Sequence, residues 1–180
     1  MFQWKSVGIW WENNYLVEPV SALLSKKSGA PVKITMTRAE VLEASGPTSG
    51  SYMKVKMGAD KNGKIVAADA TLKFEAGAWA GSPVGAASMC IFTPYDIENV
   101  NIDAYDVVDN KPKTTAYRAP GAPIGSFAAE TLVDELCEKL SFDPIDFRIS
   151  NGAKEGTRRS NGVVNPVIGC IETAEVLKKT

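Results

Sequence analysis

Residues 53–74 read MKVKMGADKNGKIVAADATLKF, and the spacing of their apolar side chains decides the fold class of this chain. Apolar residues occupy alternate positions over 53–57 and again over 66–74, where Val66, Ala68, Ala70, Leu72 and Phe74 alternate with Asp69, Thr71 and Lys73. The pair Asn62-Gly63, which separates the two runs, is typical of a tight type I′ turn. The stretch therefore predicts an antiparallel hairpin in which each strand has one buried face and one solvated face.

Periodic patterns on both sides of the hairpin predict the remaining elements. Upstream, residues 15–28 carry a helical stripe that ends at Gly29, residues 32–37 read as a short strand, and Thr37 caps a second helix with Glu40 in its first turn. Downstream, the patterns predict a strand near 100–104 and helices near 124–140, 144–149 and 171–179. Asp143 and Pro144 are expected to cap and open the second of these helices. The first carries an apolar stripe of Ile124, Ala128, Leu132, Leu136 and Leu140. This order predicts an α+β fold, with a mixed sheet that contains the antiparallel hairpin and packs against several helices.

The composition is that of one globular domain. The chain has 180 residues, of which 44% are apolar and 23% are charged, and its net charge is −1. A chain of this length buries about 70% of its unfolded surface, which is enough for one core. Because no block of lysine and arginine dominates, we expect no nucleic-acid partner. Residues 76–95 lack charge but are rich in glycine, so we expect packed loop and helix there and no membrane span.

The residue types present exclude several kinds of site. The chain contains no histidine, which rules out a Ser-His-Asp triad, a Cys-His pair and most zinc sites built from this chain alone. Cys90, Cys137 and Cys170 lie far apart, and this spacing favours a reducing compartment and a cytoplasmic location. Cys137 lies in an apolar helical stretch, where we expect a buried structural thiol.

One loop concentrates stiff backbone around a single cation. Residues 114–127 read TTAYRAPGAPIGSF, in which two prolines and two glycines surround Arg118. The helix predicted to follow directs its free N–H groups and the positive end of its dipole toward the loop. Together with the guanidinium, these groups form a candidate pocket for an oxo group, a phosphate or a carboxylate. The alternative is that Arg118 pairs with an acid of this chain and the prolines only turn the backbone.

The motifs around this loop resemble the molybdopterin-binding large subunit of the xanthine dehydrogenase and aldehyde oxidase family. The loop AYRAPGAP, the helix with Glu and Asp-Glu, and the segment DPIDFRISN correspond to that family's pattern, with the matching residues Ala116, Tyr117, Arg118, Gly121, Pro123, Glu130, Asp134, Glu135, Asp143, Pro144, Arg148 and Asn151. Upstream, Gly29, Pro31, Val32, Arg38, Glu40, Gly58 and Gly63 also match. The resemblance extends over residues 15–180 and leaves residues 1–14 as a segment unrelated to the family.

This resemblance implies part of a molybdenum hydroxylase, an oxidoreductase that hydroxylates aldehydes or N-heterocycles. It implies a molybdenum–molybdopterin cofactor and a cofactor-binding loop formed by Tyr117, Arg118, Ala119, Pro120 and Gly121. It places no catalytic residue and no metal ligand in this chain, because in the family the pterin holds the metal and the catalytic base lies further downstream.

The sequence also departs from the family's pattern. The glycine-rich GGxFGxK turn is replaced by KSVGIWWENN, and the family's downstream motifs do not occur. Thr48 and Pro120 stand where purine-oxidising members have a substrate-holding arginine and a stacking aromatic residue, which disfavours a purine substrate. We therefore expect a fragment that neither binds the cofactor nor hydroxylates alone, and that works with complementary molybdenum-subunit segments and with iron–sulfur and FAD subunits.

Other hypotheses remain open at this stage. The chain could be an interaction or oligomerisation module that forms a homo-oligomer, and the cluster Trp4, Trp10 and Trp11 favours this reading. It could also be an anion-binding protein that uses Arg118. Two further charged groups are expected to be solvated: the acids at 130, 134 and 135, and the arginine pair at 158 and 159, which could contact phosphate or an acidic partner.

Overall fold

The computed structural model describes residues 17–179. In this part the elements follow one another as α1 (Glu18–Ser28), α2 (Arg38–Ala44), β1 (Ser51–Ala59), β2 (Ile65–Gly77), α3 (Val84–Cys90), β3 (Asn99–Val108), α4 (Ala122–Leu140), α5 (Pro144–Asn151) and α6 (Cys170–Lys178). The strands form one sheet in the order β1-β2-β3, with β1 antiparallel and β3 parallel to β2. This mixed sheet and its helices confirm the predicted α+β fold.

The turn of the hairpin differs from the predicted type I′ turn. A type I′ turn requires positive φ at both central residues. Gly63 does have a positive φ, of 79°, but the φ of Asn62 is not positive. Instead, Asp60 Oδ1 accepts hydrogen bonds from the backbone N–H groups of Asn62 at 2.8 Å and Lys64 at 2.9 Å. A short acidic side chain that bonds its own backbone stabilises a longer turn.

The predicted strand over residues 32–37 is wrong. Its side chains do alternate between half-buried and exposed positions, as the apolar pattern indicated. The backbone of residues 32–37 nevertheless forms no hydrogen-bonded strand pairing with β1, β2 or β3. A period of two selects an extended backbone, whereas a strand also needs a sheet edge within hydrogen-bonding distance, and that depends on tertiary structure.

The local caps agree with the sequence. Thr37 and Glu40 form a capping box, in which Glu40 Oε2 accepts from the Thr37 N–H at 2.7 Å. Asp143 Oδ1 accepts hydrogen bonds from the N–H groups of Ile145 and Asp146, both at 2.9 Å. Pro144 follows as the first residue of α5.

The core lies between one face of the sheet and helices α3 and α4. The sheet contributes its alternate buried side chains, which are Ile65, Ala68, Ala70, Leu72 and Phe74. Helix α4 contributes a line of mostly small residues, Gly125, Ala129, Val133 and Cys137. The buried face of α4 is therefore one residue away from the predicted apolar stripe, whose large members Ile124, Leu132, Leu136 and Leu140 flank this line and are only half-buried. Cys137 is 1% exposed, as expected, and burial raises the pKa of its thiol.

Two further points concern the sequence predictions. Within residues 17–179, none of the helices combines the length and the apolar composition that crossing a membrane would require. The proposed unrelated segment 1–14, with its three tryptophans, lies outside the described residues.

Candidate functional site

The loop that contains Arg118 joins β3 to α4 beside the end of β2. Thr114 is buried, and its N–H donates to the carbonyl of Ala76 at 3.0 Å. The next residue, Thr115, donates from its N–H to Pro47 O at 3.0 Å and from its hydroxyl to Gly46 O at 2.7 Å. These bonds hold the start of the loop between the last residues of β2 and the segment that precedes β1.

The side chains at the centre of the loop point toward solvent. Tyr117 is 76% exposed, and Arg118 is also exposed. Arg118 forms no ion pair with any carboxylate of residues 17–179, so the alternative that an acid of this part of the chain neutralises it is not realised there. Ala119 has φ of 57°, an uncommon value for a residue with a side chain, and it turns the backbone toward α4.

Gly121 is required by packing as well as by backbone conformation. It has φ of 78°, and it is buried against the first turn of α3. A Cβ atom at this position would lie 2.3 Å from the carbonyl oxygen of Pro83 and 2.8 Å from the N of Ala87. The glycine therefore lets the start of α4 rest directly on α3.

The loop before α3 is itself held by an acid of the sheet. Asp106 accepts from the N–H of Gly81 at 2.7 Å and from that of Ser82 at 2.9 Å. Burial by itself would raise the pKa of Asp106, but the hydrogen bonds from Ser82 and Gly81 and the nearby Lys113 ammonium outweigh it and lower the pKa. Through this loop, the position of β3 determines where α3 and the start of α4 lie.

The start of α4 presents unpaired donors beside Arg118. The Ala122 N–H donates to Ala119 O at 3.1 Å, whereas the N–H groups of Gly121 and Ile124 donate to no acceptor within residues 17–179. They border a depression of about 70 Å³ that is lined by Arg118 and by no carboxylate. A cation with free N–H groups fits an oxygen-rich group such as part of a molybdopterin. Since ligand sites usually measure about 300–1,000 Å³, this depression is wide enough for only part of such a cofactor.

Two of the acids predicted to be solvated are paired instead. Arg148 donates from Nε to Glu130 at 3.0 Å and from Nη2 to Asp134 at 2.8 Å. The hydroxyl of Tyr95, which is 5% exposed, donates to the Glu130 carboxylate at 2.8 Å. Burial and then the Glu130 charge raise the pKa of Tyr95, so its hydroxyl stays protonated. The prediction of a solvated face is therefore wrong for Glu130, which is half-buried, whereas Asp134 and Glu135 are exposed as predicted. The paired group joins α4 to α5.

Asn151 joins the end of α5 to the hairpin turn. Its side chain is fully buried, with Oδ1 accepting from Ile65 N–H at 2.8 Å and Nδ2 donating to Gly63 O at 2.8 Å and to Phe147 O at 3.0 Å. Its backbone carbonyl accepts from Asp96 N–H at 2.8 Å. The sequence signal for this role was the motif RxxN, whose two polar residues serve packing rather than the candidate pocket.

Comparison with solved structures shows the class of this fold. The aldehyde oxidoreductase from Desulfovibrio gigas superposes with a TM-score of 0.78 at 25% identity, over 92% of this chain and 19% of that chain. The sheet and helices of this chain therefore share the architecture of part of a much longer oxidoreductase.

The sequence comparisons show the family. The family model of the molybdopterin cofactor-binding domain matches residues 8–152, so the chain belongs to this family of the xanthine dehydrogenase and aldehyde oxidase enzymes. The large molybdopterin subunit of nicotinate dehydrogenase from Eubacterium barkeri is 33% identical over 86% of this chain. The molybdenum-binding subunit of xanthine dehydrogenase from Escherichia coli O157:H7 is 26% identical over 88% of it. The chain spans 37% and 21% of the lengths of these two relatives. The predicted family is thus confirmed.

Proposed function

We propose that this chain forms part of the molybdenum-cofactor-binding catalytic subunit of a molybdenum hydroxylase, and that the loop of residues 117–121 contacts the cofactor. The observation that carries the proposal is the unpaired Arg118 guanidinium beside free N–H groups of α4, in a chain of the molybdopterin cofactor-binding family. A permanent cation and backbone donors that converge on one depression suit the oxygen-rich parts of such a cofactor.

Each residue of the loop has a distinct part in this arrangement. Arg118 donates from its planar guanidinium to cofactor oxygens, and the N–H of Gly121 adds a backbone donor. Tyr117 and Pro120 offer apolar surface beside them, and Ala119 turns the chain so that these groups face the same side. When bound, the cofactor supplies the two-electron redox chemistry of hydroxylation, which the side chains of this loop cannot perform.

The remaining walls of the site come from other polypeptide. The depression of about 70 Å³ beside Arg118 is far smaller than a complete ligand site of about 300–1,000 Å³. The related proteins are named as subunits, which supports the existence of partner subunits. We propose that these partners are complementary molybdenum-subunit segments and iron–sulfur and FAD subunits. We therefore infer that this chain neither retains the cofactor nor hydroxylates a substrate without them.

The substrate class follows from the related proteins and from two residues of this chain. Relatives are named for nicotinate, for xanthine and for aldehydes, which makes an N-heterocycle or an aldehyde the substrate class. Thr48 and Pro120, both beside the depression, offer neither a cation nor an aromatic ring to hold a purine.

The experiment recovers the affinity-tagged chain, with its bound partners, from the cells that produce it. Molybdenum per chain and dye reduction with benzaldehyde and nicotinate are then measured. Arg118→Ala should lower molybdenum content or dye reduction by about tenfold, because a charge-assisted hydrogen bond is lost. Lys54→Ala, which removes an exposed cation of β1, should leave both unchanged. A recovered assembly without molybdenum would overturn the function, and full activity of the chain by itself would overturn the need for partners.

A second candidate function is an interaction module that forms a homo-oligomer. Helix α1 has no buried residue, and its apolar residues Val20, Leu23 and Leu24 are between 44% and 55% exposed. An apolar stripe in water favours association with another surface. Native mass spectrometry of the purified chain at several concentrations tests this reading. A dimer that dissociates on Leu23→Gln would support it, whereas a monomer at every concentration would overturn it.

The cysteines support a cytoplasmic location. Cys90, Cys137 and Cys170 are all free thiols, and the first and third are half-exposed. Exposed thiols persist in reducing compartments. Fractionation of the producing cells should recover the tagged chain with cytoplasmic markers.

A further inference from the structure

A second polar cavity lies at the opposite end of the sheet from Arg118. It measures about 670 Å³ and lies where β2 and β3 begin, between Lys64, Glu98 and the turn at residues 158–162. The ten residues of β3 run from this cavity toward the Arg118 loop, which corresponds to about 30 Å at about 3.3 Å per residue. The cavity is therefore separate from the candidate cofactor site.

Two cations of this cavity are held in place by uncharged acceptors. Arg159 donates from Nε to the side-chain oxygen of Asn165, which is 3% exposed, and Lys64 donates from Nζ to the backbone carbonyl of Asp96 at 3.0 Å. Neither interaction neutralises the charge. These hydrogen bonds thus orient the Arg159 and Lys64 side chains, while the full positive charge of each stays available to a ligand.

The turn that carries the arginines is itself well defined. The Gly162 N–H donates to Arg159 O at 2.9 Å, the Arg159 N–H donates to Val163 O at 2.8 Å, and residues 158 and 164 form an isolated β-bridge. The Arg158 guanidinium lies over Gly162, with Nη2 3.6 Å from the position that a Cβ would occupy there. Both arginines are thereby directed to the rim of the cavity.

Four other fixed cations of the described chain reach carboxylates, in the pairs Lys56–Asp69, Lys111–Glu75, Arg148–Glu130 and Lys178–Asp146. Lys113, like Lys64, donates to a backbone carbonyl instead, that of Gly81 at 2.7 Å. Arg158, Arg159 and Lys64 form no ion pair with a carboxylate of residues 17–179. A cation held only by neutral groups keeps its attraction for an oxyanion.

The cavity also contains two acids whose carboxylates make no hydrogen bond to the described residues. The carboxylates of Asp96 and Glu98 line the same space as the three cations. They leave a net charge of +1 in the lining and offer acceptors for hydroxyl groups. A ligand that carries both an oxyanion and hydroxyl groups satisfies both sets, whereas a bare anion satisfies only one.

We propose that this cavity binds a small phosphate ester, with Lys64, Arg158 and Arg159 contacting the phosphate and Asp96 and Glu98 accepting hydrogen bonds from its hydroxyl groups. The size agrees with this ligand class, because small-molecule sites measure about 300–1,000 Å³. Arginine suits phosphate because its planar fork can donate two parallel hydrogen bonds.

Isothermal titration of the full chain tests the proposal, with ribose 5-phosphate, inorganic phosphate and ribose as probes in a phosphate-free buffer. Ribose 5-phosphate should bind saturably at one site, inorganic phosphate more weakly, and ribose not at all. Lys64→Gln and Arg159→Gln should each raise the Kd by about tenfold, since each removes a charge-assisted hydrogen bond. Glu98→Gln should reduce the preference for ribose 5-phosphate over inorganic phosphate.

A matched control separates this site from general attraction to positive charge. Lys61→Gln removes a cation from the same turn as Lys64 but outside the cavity. This variant should leave the Kd unchanged, and thermal unfolding checks that every variant is folded. The proposal is overturned if no phosphate binds saturably, if Lys61→Gln weakens binding as much as Lys64→Gln, or if a poly-glutamate peptide binds more tightly than ribose 5-phosphate.

Discussion

Replacing Asn151 with alanine removes the side chain that joins α5 to the turn between β1 and β2. In the native fold this amide bonds the N–H of Ile65 and the carbonyl of Gly63, both at 2.8 Å. Ile65 is 1% exposed and Gly63 is also buried, so water has little access to either group after the substitution. The variant thus leaves one donor and one acceptor buried without partners.

The expected loss follows from these two groups. An unsatisfied buried donor or acceptor costs about 1–3 kcal/mol, which gives about 4 kcal/mol for the pair. Domains of this kind have a free energy of unfolding of about 5–15 kcal/mol, so the variant should fold with a small margin. At about 2–4 °C per kcal/mol for a chain of this length, Tm should fall by about 8–16 °C.

Urea unfolding followed by circular dichroism measures this loss. The matched control is Asn62→Ala, in the same hairpin turn, because the Asn62 side chain is exposed and makes no hydrogen bond within residues 17–179. This control should change the free energy of unfolding by less than about 0.5 kcal/mol. If Asn151→Ala cost less than about 1 kcal/mol with an unchanged m-value, the amide would not be the link between α5 and the hairpin.

Further substitutions test other contacts by the same unfolding assay. Gly121→Ala should cost about 2–4 kcal/mol, because its Cβ would overlap the backbone of α3 and its φ is positive. The control Gly85→Ala meets no atom within 4 Å and should stabilise α3 by about 0.5–1 kcal/mol, so equal effects of the two substitutions would contradict the packing role of Gly121. Arg148→Met should cost about 2 kcal/mol, between the values for surface and buried ion pairs, because Glu130 loses its cation; no loss would show that the pair is dispensable. The fold lowers the pKa of Asp106, so its ionised carboxylate stabilises the folded state above the unfolded pKa of about 3.9. This stabilisation is lost as the pH falls below that value. Asp106→Asn should therefore flatten the decline of stability in acid, and an unchanged pH profile would refute that contribution.

The parts of the fold that were predicted correctly depend on short-range patterns. The alternation in residues 53–57 and 66–74 indicated the hairpin, and the sheet does contain it. Only Val66 departs from the predicted buried face, because it is exposed while Ile65 is buried. The capping residues Thr37 and Asp143 marked where α2 and α5 begin. The strand expected over residues 32–37 failed because its pattern specifies an extended chain but no pairing edge.

The candidate site was only partly predictable. Stiff backbone and a helix start around Arg118 indicated a donor-rich corner, and the structure shows that corner with the N–H groups of Gly121 and Ile124 unpaired in the described chain. The second cavity was not predicted, although Arg158 and Arg159 had been noted as an exposed pair. No pattern near residue 159 indicates that Asn165 would hold one guanidinium by a neutral acceptor or that Lys64 would approach from the hairpin.

By itself, the sequence determined the family, the hairpin and the helix starts, because motifs, alternation and caps depend on residues only a few positions apart. Tertiary structure alone decided which polar residues pair within the fold and which stay without a charged partner in the described chain. Asn151 meets Gly63 from 88 positions away along the chain. Arg148 is neutralised by Glu130 while Arg118 is not neutralised by any described acid. Such pairings follow from the way helices dock on the sheet, and docking is set by the shape and volume of the whole core.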